Sequence, residues 1–489
     1  MNLTRSGGIL LHLTSLPGAT GIGTLGKNAL EFIDFLEQAQ QKIWQILPTG
    51  PTGYGDSPYQ TFSAFAGSPL LIDLDELCTE GLLEKSQIPD QVDQESTKID
   101  FGELNNAKYP ILKRAFQNFS PTPEFADFCR KEAYWLEDYS LFMALKNKFQ
   151  GVSWLDWDKK FKFRDKAALE QSRNDLKTEI ELQKFLQFTF FKQWQKIKAY
   201  AGKNNISIMG DIPIFVAMDS SDVWAHNEIF QFDENLNPLA LAGVPPDYFS
   251  DTGQLWGNPL YNWESLKNSD FDWWKNRFAA ILDTTDLVRL DHFRGFAGYW
   301  SVPFGAENAV KGEWKTAPGN ELFTALKNSF GDLPVIAEDL GVITDDVIEL
   351  RDKFGFPGMK VLQFAFGSGP DNPFLPHNFS ENCVVYTGTH DNDTTLGWYQ
   401  KLPENIKNEV LDYLDSPEPE INWKMIEAAW KSKAALAIAP MQDFLGLDSS
   451  ARMNMPSSLG SNWQWRLIKK DLDLKLARKI RDLTWKYDR

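Results

Sequence analysis

Eight short apolar runs, spread along the chain and separated by segments with helical spacing, constrain its fold more than any other feature. The runs occupy residues 8–15, 42–48, 206–216, 286–293, 334–341, 359–367, 383–393 and 435–446. Between them, residues 28–41, 272–285 and 344–355 carry apolar side chains at the spacing of a helix. Strands that alternate with helices indicate the α/β class, and eight of them predict a parallel (β/α)8 (TIM) barrel. A doubly wound sheet is the alternative, because periodicity does not show whether a sheet closes on itself.

The spacing of the runs predicts large, mostly helical insertions in this barrel. The second run ends near residue 48 and the third begins near residue 206, although such a connection needs only a few residues. Residues 124–149 and 177–203 within the gap have amphipathic helical patterns. We therefore expect the first two barrel strands in residues 1–48, insertion subdomains in 49–200, and the rest of the barrel in 201–489, with a lid loop near 243–263.

The charge of the chain excludes several classes of partner. Fifty Lys and Arg residues against 67 Asp and Glu residues give a net charge of −17. Such a surface repels nucleic acid and anionic membranes, so neither is an expected partner, whereas neutral ligands remain open. The start, MNLTRSGGILLHLTSLPG, lacks a long apolar core and a cleavage site, so we interpret it as a strand and not a signal peptide.

Cysteine and histidine usage argues against disulfides and against a metal or cofactor. The three cysteines, Cys78, Cys129 and Cys383, are odd in number and far apart, which fits a reducing compartment and predicts a cytoplasmic protein. The five histidines form no zinc-binding cluster. The glycine-containing stretch GSGPDNP (367–373) has no lysine and opens no convincing helix, so a nucleotide is not expected. We expect no cofactor.

Polar residues occur where the predicted strands end, which is where a barrel of this kind carries its active site. They are Asp211, Arg289, Asp291, Glu338, His390 and Asp391. A single carboxylate at a strand end is more often a capping or salt-bridging residue. Three carboxylates, Asp291, Glu338 and Asp391, together with an arginine and a histidine are harder to explain as structural.

This set of residues suits the chemistry of glycosidic bonds. Like charges in a shared pocket repel, so one carboxyl group is pushed towards the protonated form that a general acid needs. An ionised carboxylate can then attack the anomeric carbon or stabilise positive charge there. Arg289 precedes Asp291 by two residues, on the same face of the strand, and its charge favours the ionised form of Asp291.

Several long blocks of the sequence resemble, in the same order, those of the 4-α-glucanotransferases of the amylomaltase, or disproportionating-enzyme, type. They include RLDHFRGF (289–296), AEDLG (337–341), THDNDTTLGW (389–398) and RMNMPSSLGSNWQWR (452–466), together with blocks at 47–74, 210–224 and 243–263. The resemblance covers nearly the whole chain. It implies a (β/α)8 barrel with insertions and a retaining transfer between α-1,4-glucans through a covalent glucosyl-enzyme intermediate.

Carried over block by block, the resemblance also implies roles for individual residues. Asp291 is expected to be the nucleophile, Glu338 the acid/base, and Asp391 the third carboxylate, which holds the distorted sugar. Arg289 and His390 would support them. The residues expected to contact substrate are Tyr59, Asp211, Tyr248, Phe249, Trp256, Arg289, Phe366, His390 and Asn462. For Tyr59, Trp256 and Phe366, each taken alone, a packed core aromatic is an equally good interpretation.

The block at 243–263 suggests how transfer competes with attack by water. Tyr248 and Phe249 follow two prolines, and Gly243, Gly253 and Gly257 are candidate hinges. An aromatic lid would bind the acceptor sugar by stacking and leave less room for water. Without the resemblance, a packed structural crossover would be the better interpretation of this segment.

Three functions remain open from the residues themselves. A transferase and an α-glucan hydrolase use the same three carboxylates, and only the lid and the resemblance favour transfer. A glucan-binding protein without activity is the third, although a binder has no need of all three carboxylates. We expect maltooligosaccharides and α-1,4-glucans as ligands, and a monomer or a weak homo-oligomer.

Overall fold

The computed structural model describes residues 3–53, 55–88, 95–246, 250–415, 420–458 and 460–489. In chain order, the strands in these segments are β1 (Ser6–Leu10), β2 (Ile43–Gln45), β3 (Ser207–Pro213), β4 (Ala240–Val244), β5 (Gln254–Pro259), β6 (Leu287–Asp291), β7 (Gly298–Pro303), β8 (Glu313–Thr316), β9 (Val335–Ala337), β10 (Gly358–Val361), β11 (Cys383–Tyr386) and β12 (Leu436–Pro440).

The helices in the same segments are α1 (Lys27–Gln38), α2 (Leu74–Thr79), α3 (Phe101–Asn118), α4 (Pro123–Lys131), α5 (Ala133–Lys148), α6 (Lys159–Lys162), α7 (Lys166–Asp175), α8 (Lys177–Lys203), α9 (Ser221–Ala225), α10 (Trp263–Asn268), α11 (Asp272–Thr284), α12 (Gly319–Phe330), α13 (Asp345–Lys353), α14 (Thr395–Lys401), α15 (Glu404–Leu414), α16 (Ile421–Lys431), α17 (Met441–Leu445) and α18 (Leu474–Lys486). None of these helices is both long and apolar enough to cross a bilayer.

Eight parallel strands form a closed barrel in the order β1-β12-β11-β10-β9-β6-β3-β2. Strand β1 pairs with β2 on one side and with β12 on the other, which closes the sheet and excludes the doubly wound alternative. Each of the eight apolar runs contains or overlaps one of these strands, so the predicted barrel is confirmed. The runs were recognisable because strands buried on both faces consist almost entirely of apolar residues.

The helices cover the barrel with apolar stripes that the sequence encodes directly. In α1 the buried residues Ala29, Phe32, Ile33 and Leu36 recur at three- and four-residue intervals, so they share one face. Helix α8 has 27 residues and buries Phe185, Phe190, Trp194 and Ile197 along its length, among others. It ends four residues before β3 begins, so it leads the chain from the insertion back into the barrel.

The connection between β2 and β3 contains α2 to α8. Part of it has an apolar cluster of its own, in which Ala66, Trp135, Leu136 and Tyr139 are buried. The division of the chain into units at residues 48 and 200 stays a prediction.

A second sheet, antiparallel and with strand order β5-β4-β7-β8, was not predicted from the sequence. It changes the interpretation of the segment 243–263, because this segment contains the end of β4 and all of β5 and is not a loop throughout. Gly243 lies in β4, and a side chain there would place its Cβ 2.4 Å from the carbonyl oxygen of Gln254 in β5. Close approach of the paired strands therefore accounts for this glycine without a hinge. Tyr248 and Phe249 lie outside the described residues.

Candidate active site

The C-terminal ends of the barrel strands bring the predicted polar residues together. Strand β6 carries Arg289 and Asp291, Glu338 directly follows β9, and the segment after β11 carries His390 and Asp391. Asp211 lies on β3 and pairs in register with Arg289 on β6. Parallel strands in a barrel all end at the same rim, so residues far apart in sequence become neighbours there.

Arg289 is the electrostatic centre of this rim. Its Nη1 lies 2.7 Å from Asp211 Oδ2, and its Nη2 lies 2.8 Å from Asp291 Oδ1. The arginine side chain is only 4% exposed, so water screens these two ion pairs weakly. One guanidinium therefore holds two carboxylates, and its ion pair with Asp291 fixes that side chain at the end of β6.

The surroundings of Glu338 favour the protonated form of its carboxyl group. Burial in the mouth of the barrel raises the pKa of its carboxyl group well above the usual value, and the negative charge of Asp291 adds to the shift, although Arg289 opposes it. Two backbone N–H groups orient the side chain: that of His292 donates to Oε2 at 2.7 Å, and that of Leu340 donates to Oε1 at 3.3 Å. A carboxyl group that keeps its proton near neutral pH can act as a general acid.

Asp391 is held ionised by its neighbours. Burial alone would raise its pKa, but His390, a hydrogen bond from Asn454 and the charge of Arg289 together hold the pKa well below the usual range. His390 Nε2 lies 3.3 Å from Asp391 Oδ2, and Asn454 Nδ2 donates to Oδ1 at 2.6 Å. Arg452 Nη2 also donates to the main-chain oxygen of Asp391 at 2.6 Å.

Tyr59 links the first insertion to this rim. Its hydroxyl donates to Asp211 Oδ2 at 2.9 Å, and its ring stacks on His390 with 5.2 Å between centroids. The ring of Trp463 lies 5.9 Å from both Tyr59 and His390. The structure thus joins Tyr59, Asp211, Arg289 and His390, which were all expected to contact substrate, into one contiguous network.

The other residues expected to contact substrate lie around this network. Trp256 on β5 packs edge to face against His292, with ring centroids 4.8 Å apart. Phe366 packs against Trp398 on α14. Asn462 accepts a hydrogen bond from the backbone N–H of Met455 at 3.0 Å, which links the two residues. Whether these side chains contact substrate stays a prediction.

Two residues that hold Asp391 were missed as individual candidates. Arg452 and Asn454 belong to the block RMNMPSSLGSNWQWR, in which only Asn462 was expected to contact substrate. Their polar side chains beside Pro456, Gly460 and three serines follow the pattern of a functional loop. No spacing rule, however, relates this loop to the segment after β11.

Taken together, the rim combines a carboxyl group of raised pKa, a carboxylate paired with arginine, and a third carboxylate that remains ionised. This arrangement can protonate a leaving oxygen, attack an anomeric carbon and bind sugar hydroxyls. Within the segments that the structure describes, no group of three or more His, Cys, Asp or Glu side chains is arranged to hold a metal ion.

Comparison with known proteins gives concordant results from sequence and structure. The family Glyco_hydro_77, described as 4-alpha-glucanotransferase, matches residues 11–471. A 4-alpha-glucanotransferase of Synechocystis sp. is 52% identical over 472 residues, covering 94% of each chain. One from Clostridium butyricum is 48% identical over 485 residues, covering 98% of this chain and 100% of the relative. The structure of an amylomaltase from Streptococcus agalactiae in complex with acarbose is 41% identical, with a TM-score of 0.96 and 99% of each chain covered.

Proposed function

The chain belongs to the family of 4-alpha-glucanotransferases, and on that basis we propose which of its residues carry out each step of the transfer. It is a retaining transferase that moves α-1,4-linked glucan segments from a donor to the 4-OH of an acceptor glucan or glucose through a covalent glucosyl-enzyme intermediate. Family membership decides among the three functions that the residues alone left open.

Asp291 is the nucleophile of this proposal, and the observation that carries the assignment is its ion pair with buried Arg289. In the first step, Glu338 donates its proton to the glycosidic oxygen while an oxygen of Asp291 attacks the anomeric carbon, so the C–O bond to the leaving glucan breaks. In the second step, ionised Glu338 takes the proton of the acceptor 4-OH. That oxygen then attacks the anomeric carbon and displaces Asp291, so the configuration is retained.

Asp391 binds the hydroxyl groups of the reacting sugar in its distorted state. Its contacts with His390 and Asn454 keep it negatively charged, which makes it a strong hydrogen-bond acceptor. Because the transition state carries positive charge near the anomeric carbon, nearby carboxylates also favour it electrostatically.

The substrate is a maltooligosaccharide or a longer α-1,4-glucan. The amylomaltase from Streptococcus agalactiae was solved in complex with acarbose, which supports an oligosaccharide ligand for this chain. We assign substrate contacts to Tyr59, Asp211, Tyr248, Phe249, Trp256, Arg289, Phe366, His390 and Asn462. The net charge of −17 is compatible with a neutral glucan. The proposal includes a cytoplasmic location, which the three free cysteines favour, and a monomer or weak homo-oligomer.

Labelling with α-maltosyl fluoride tests the assignment of nucleophile and acid/base. This donor has a leaving group that needs no proton, so a Glu338→Gln variant should form the glycosyl-enzyme but release it slowly. Digestion and mass spectrometry should then find the added sugar on the peptide that contains Asp291. An Asp291→Asn variant should bind maltooligosaccharide, incorporate no label and lose nearly all transfer activity. A label on another residue, or more than a few per cent of activity in Asp291→Asn, would refute the assignment.

A further inference from the structure

His292 follows the proposed nucleophile and has an unusual backbone conformation. Its φ of 52° and ψ of 52° are left-handed, which is uncommon for residues other than glycine, although histidine adopts it more readily than most. The residue joins the end of β6 to a short 3-10 helix at Phe293–Phe296. The left-handed turn therefore sits between the nucleophile and the next element, close to the reacting groups.

This turn directs a backbone donor at the proposed acid/base. The N–H of His292 donates to Oε2 of Glu338 at 2.7 Å. The next N–H, that of Phe293, donates to the main-chain oxygen of Glu338 at 3.0 Å, and the N–H of Glu338 donates to the main-chain oxygen of Leu290 at 3.0 Å. The main chain from residue 290 to residue 293 thus fixes both the backbone and the side chain of Glu338.

Side-chain packing holds the turn in place. The ring of His292 meets Trp256 of β5 edge to face at 4.8 Å, and a side chain at Gly295 would place its Cβ 3.1 Å from the ring carbon Cδ2 of His292. His292 Nε2 is buried and has no hydrogen-bond partner among the described residues. Burial lowers the pKa of the ring to about 4, so it packs as a neutral group between Trp256 and Gly295.

We propose that His292 is a positioning residue for the acid/base Glu338, acting through its left-handed backbone N–H, and that Trp256 of the β4–β5 hairpin holds it in that conformation. The inference rests on the proposed role of Glu338. The proposal connects the hairpin to the group that transfers the proton. Trp256 contacts the ring of His292, and the backbone N–H of His292 contacts the carboxyl oxygen of Glu338. A sugar that displaces Trp256 would therefore change the orientation of the Glu338 carboxyl group.

The sign of the expected pH effect follows from the hydrogen bond. A backbone N–H favours the ionised carboxylate, so its loss raises the pKa of Glu338 further. The charged groups that act on the pKa of Glu338 are Arg289 and Asp291 from β6 and the neighbouring Asp339. Those that act on the pKa of His292 are Asp291 and Arg294. The first step requires protonated Glu338 and is lost as the pH rises through its pKa. The alkaline limb of kcat/KM should therefore move to higher pH when the donor is lost.

Two variants at position 292 separate the backbone from the side chain. Asparagine tolerates the left-handed conformation, whereas β-branched valine does not. With maltotriose, His292→Val should lose activity by about tenfold to a hundredfold. General acid–base catalysis contributes about 10²–10⁴-fold, and a misplaced Glu338 should forfeit part of it. His292→Asn should lose much less, and of these two variants His292→Val alone should shift the alkaline limb.

A substrate pair that needs no proton transfer gives the control. With α-maltosyl fluoride as donor and azide as acceptor, neither step uses Glu338, so both variants should keep nearly the wild-type rate. Equal losses in His292→Val and His292→Asn on maltotriose would overturn the proposal. The proposal would also be overturned if His292→Val lost as much activity on the fluoride and azide pair as on maltotriose, because that would indicate damage to the whole site.

Substitutions at two further positions complete the test. Glu338→Ala should lose activity on maltotriose and keep it on the fluoride and azide pair. If it does not, the role of Glu338 is wrong, whatever the variants at 292 show. Trp256→Ala, compared with Trp256→Phe, should shift the alkaline limb in the same direction as His292→Val. A change in KM without any shift of that limb would limit Trp256 to substrate binding and refute the link.

Discussion

Individual residues in this active site are defined by the charges beside them more than by their own type. Asp291 and Asp211 share the guanidinium of Arg289, whereas Glu338 lies in the same mouth and has its pKa raised by burial. The two carboxyl groups thus differ in their surroundings, because Asp291 forms an ion pair with a buried arginine and Glu338 accepts backbone hydrogen bonds in a buried position. The proposed roles of nucleophile and acid/base rest on that difference.

The hydrogen bond from Asn454 to Asp391 leads to a prediction about acid pH. Removing it in Asn454→Ala should raise the pKa of Asp391, so the acidic limb of kcat/KM on maltotriose should move to higher pH. The Asp391 side chain is 44% exposed, so solvent screening should keep the shift below about one pH unit. Asn454→Asp adds a like charge and should shift the limb further in the same direction.

The measurement is the pH dependence of initial transfer rates, with a substitution of the exposed α7 residue Asn174, Asn174→Ala, as a matched control that should not differ from wild type. If neither variant at 454 moves the acidic limb, ionisation of Asp391 does not limit the reaction.

At the scale of elements, the sequence predicted the barrel strands well and the second sheet not at all. Barrel strands such as β12 (LAIAP) are fully buried and appear as uninterrupted apolar runs. Strand β8 (EWKT) is short, lies at a sheet edge and is largely exposed, so it has no apolar pattern to detect. Strand β5 contains Gly257 and ends at Pro259, both of which usually argue against a strand.

The same contrast applies to the active site. The proximity of Asp291, Glu338 and Asp391 was predictable because they lie at or after the ends of recognisable strands, and the strand ends of a barrel converge. Asn454 and Arg452 reach the site from a loop after α17, and only the folded chain brings them to Asp391.

The hairpin of β4 and β5 carries the prediction about the lid. The segment between these strands contains Tyr248 and Phe249, whose rings we expect to hold the acceptor sugar over the covalent intermediate. Replacing both with Ala should remove about 1–2 kcal/mol of acceptor binding per ring. Transfer should then slow about tenfold or more, at 1.4 kcal/mol per decade. Attack by water needs no such binding and should fall less, so the ratio of hydrolysis to transfer should rise.

Maltotriose alone is the suitable substrate for this comparison, with reducing ends measured against the ladder of longer oligomers. Leu239→Ala is a matched control, because this exposed apolar residue directly precedes β4 and is 57% exposed. A wild-type ratio in the double variant would mean that the lid is structural and that water exclusion has another origin.

At the scale of the whole molecule, the barrel is joined at β1, where the two ends of the strand order meet. Gly7 on this strand lies against Gln41 and Trp430, and a Cβ there would be 2.8 Å from Gln41 Oε1 and 3.0 Å from Trp430 Nε1. Both side chains also converge on Thr484 of α18. Gln41 Nε2 donates to its hydroxyl at 2.8 Å, and Trp430 Nε1 donates at 3.3 Å. One hydroxyl thus links the segment before β2, α16 and α18 beneath the start of the barrel.

Thr484→Val tests how much this junction contributes to stability. The substitution keeps the shape but removes the acceptor, and a buried donor left without a partner costs about 1–3 kcal/mol. The apparent thermal midpoint should fall by several degrees, while Thr484→Ser, which keeps the hydroxyl, should lose less. Residues at the N-terminal face of such a barrel serve stability and lie away from the catalytic rim, so the transfer rate of folded protein at 25 °C should not change. Calorimetry of the three proteins at one scan rate, paired with initial rates on maltotriose, provides both measurements. Equal midpoints for the Val and Ser variants would show that the hydroxyl does not stabilise the junction. A slower transfer rate of the fully folded Val variant would show that the junction is coupled to the active site across the barrel.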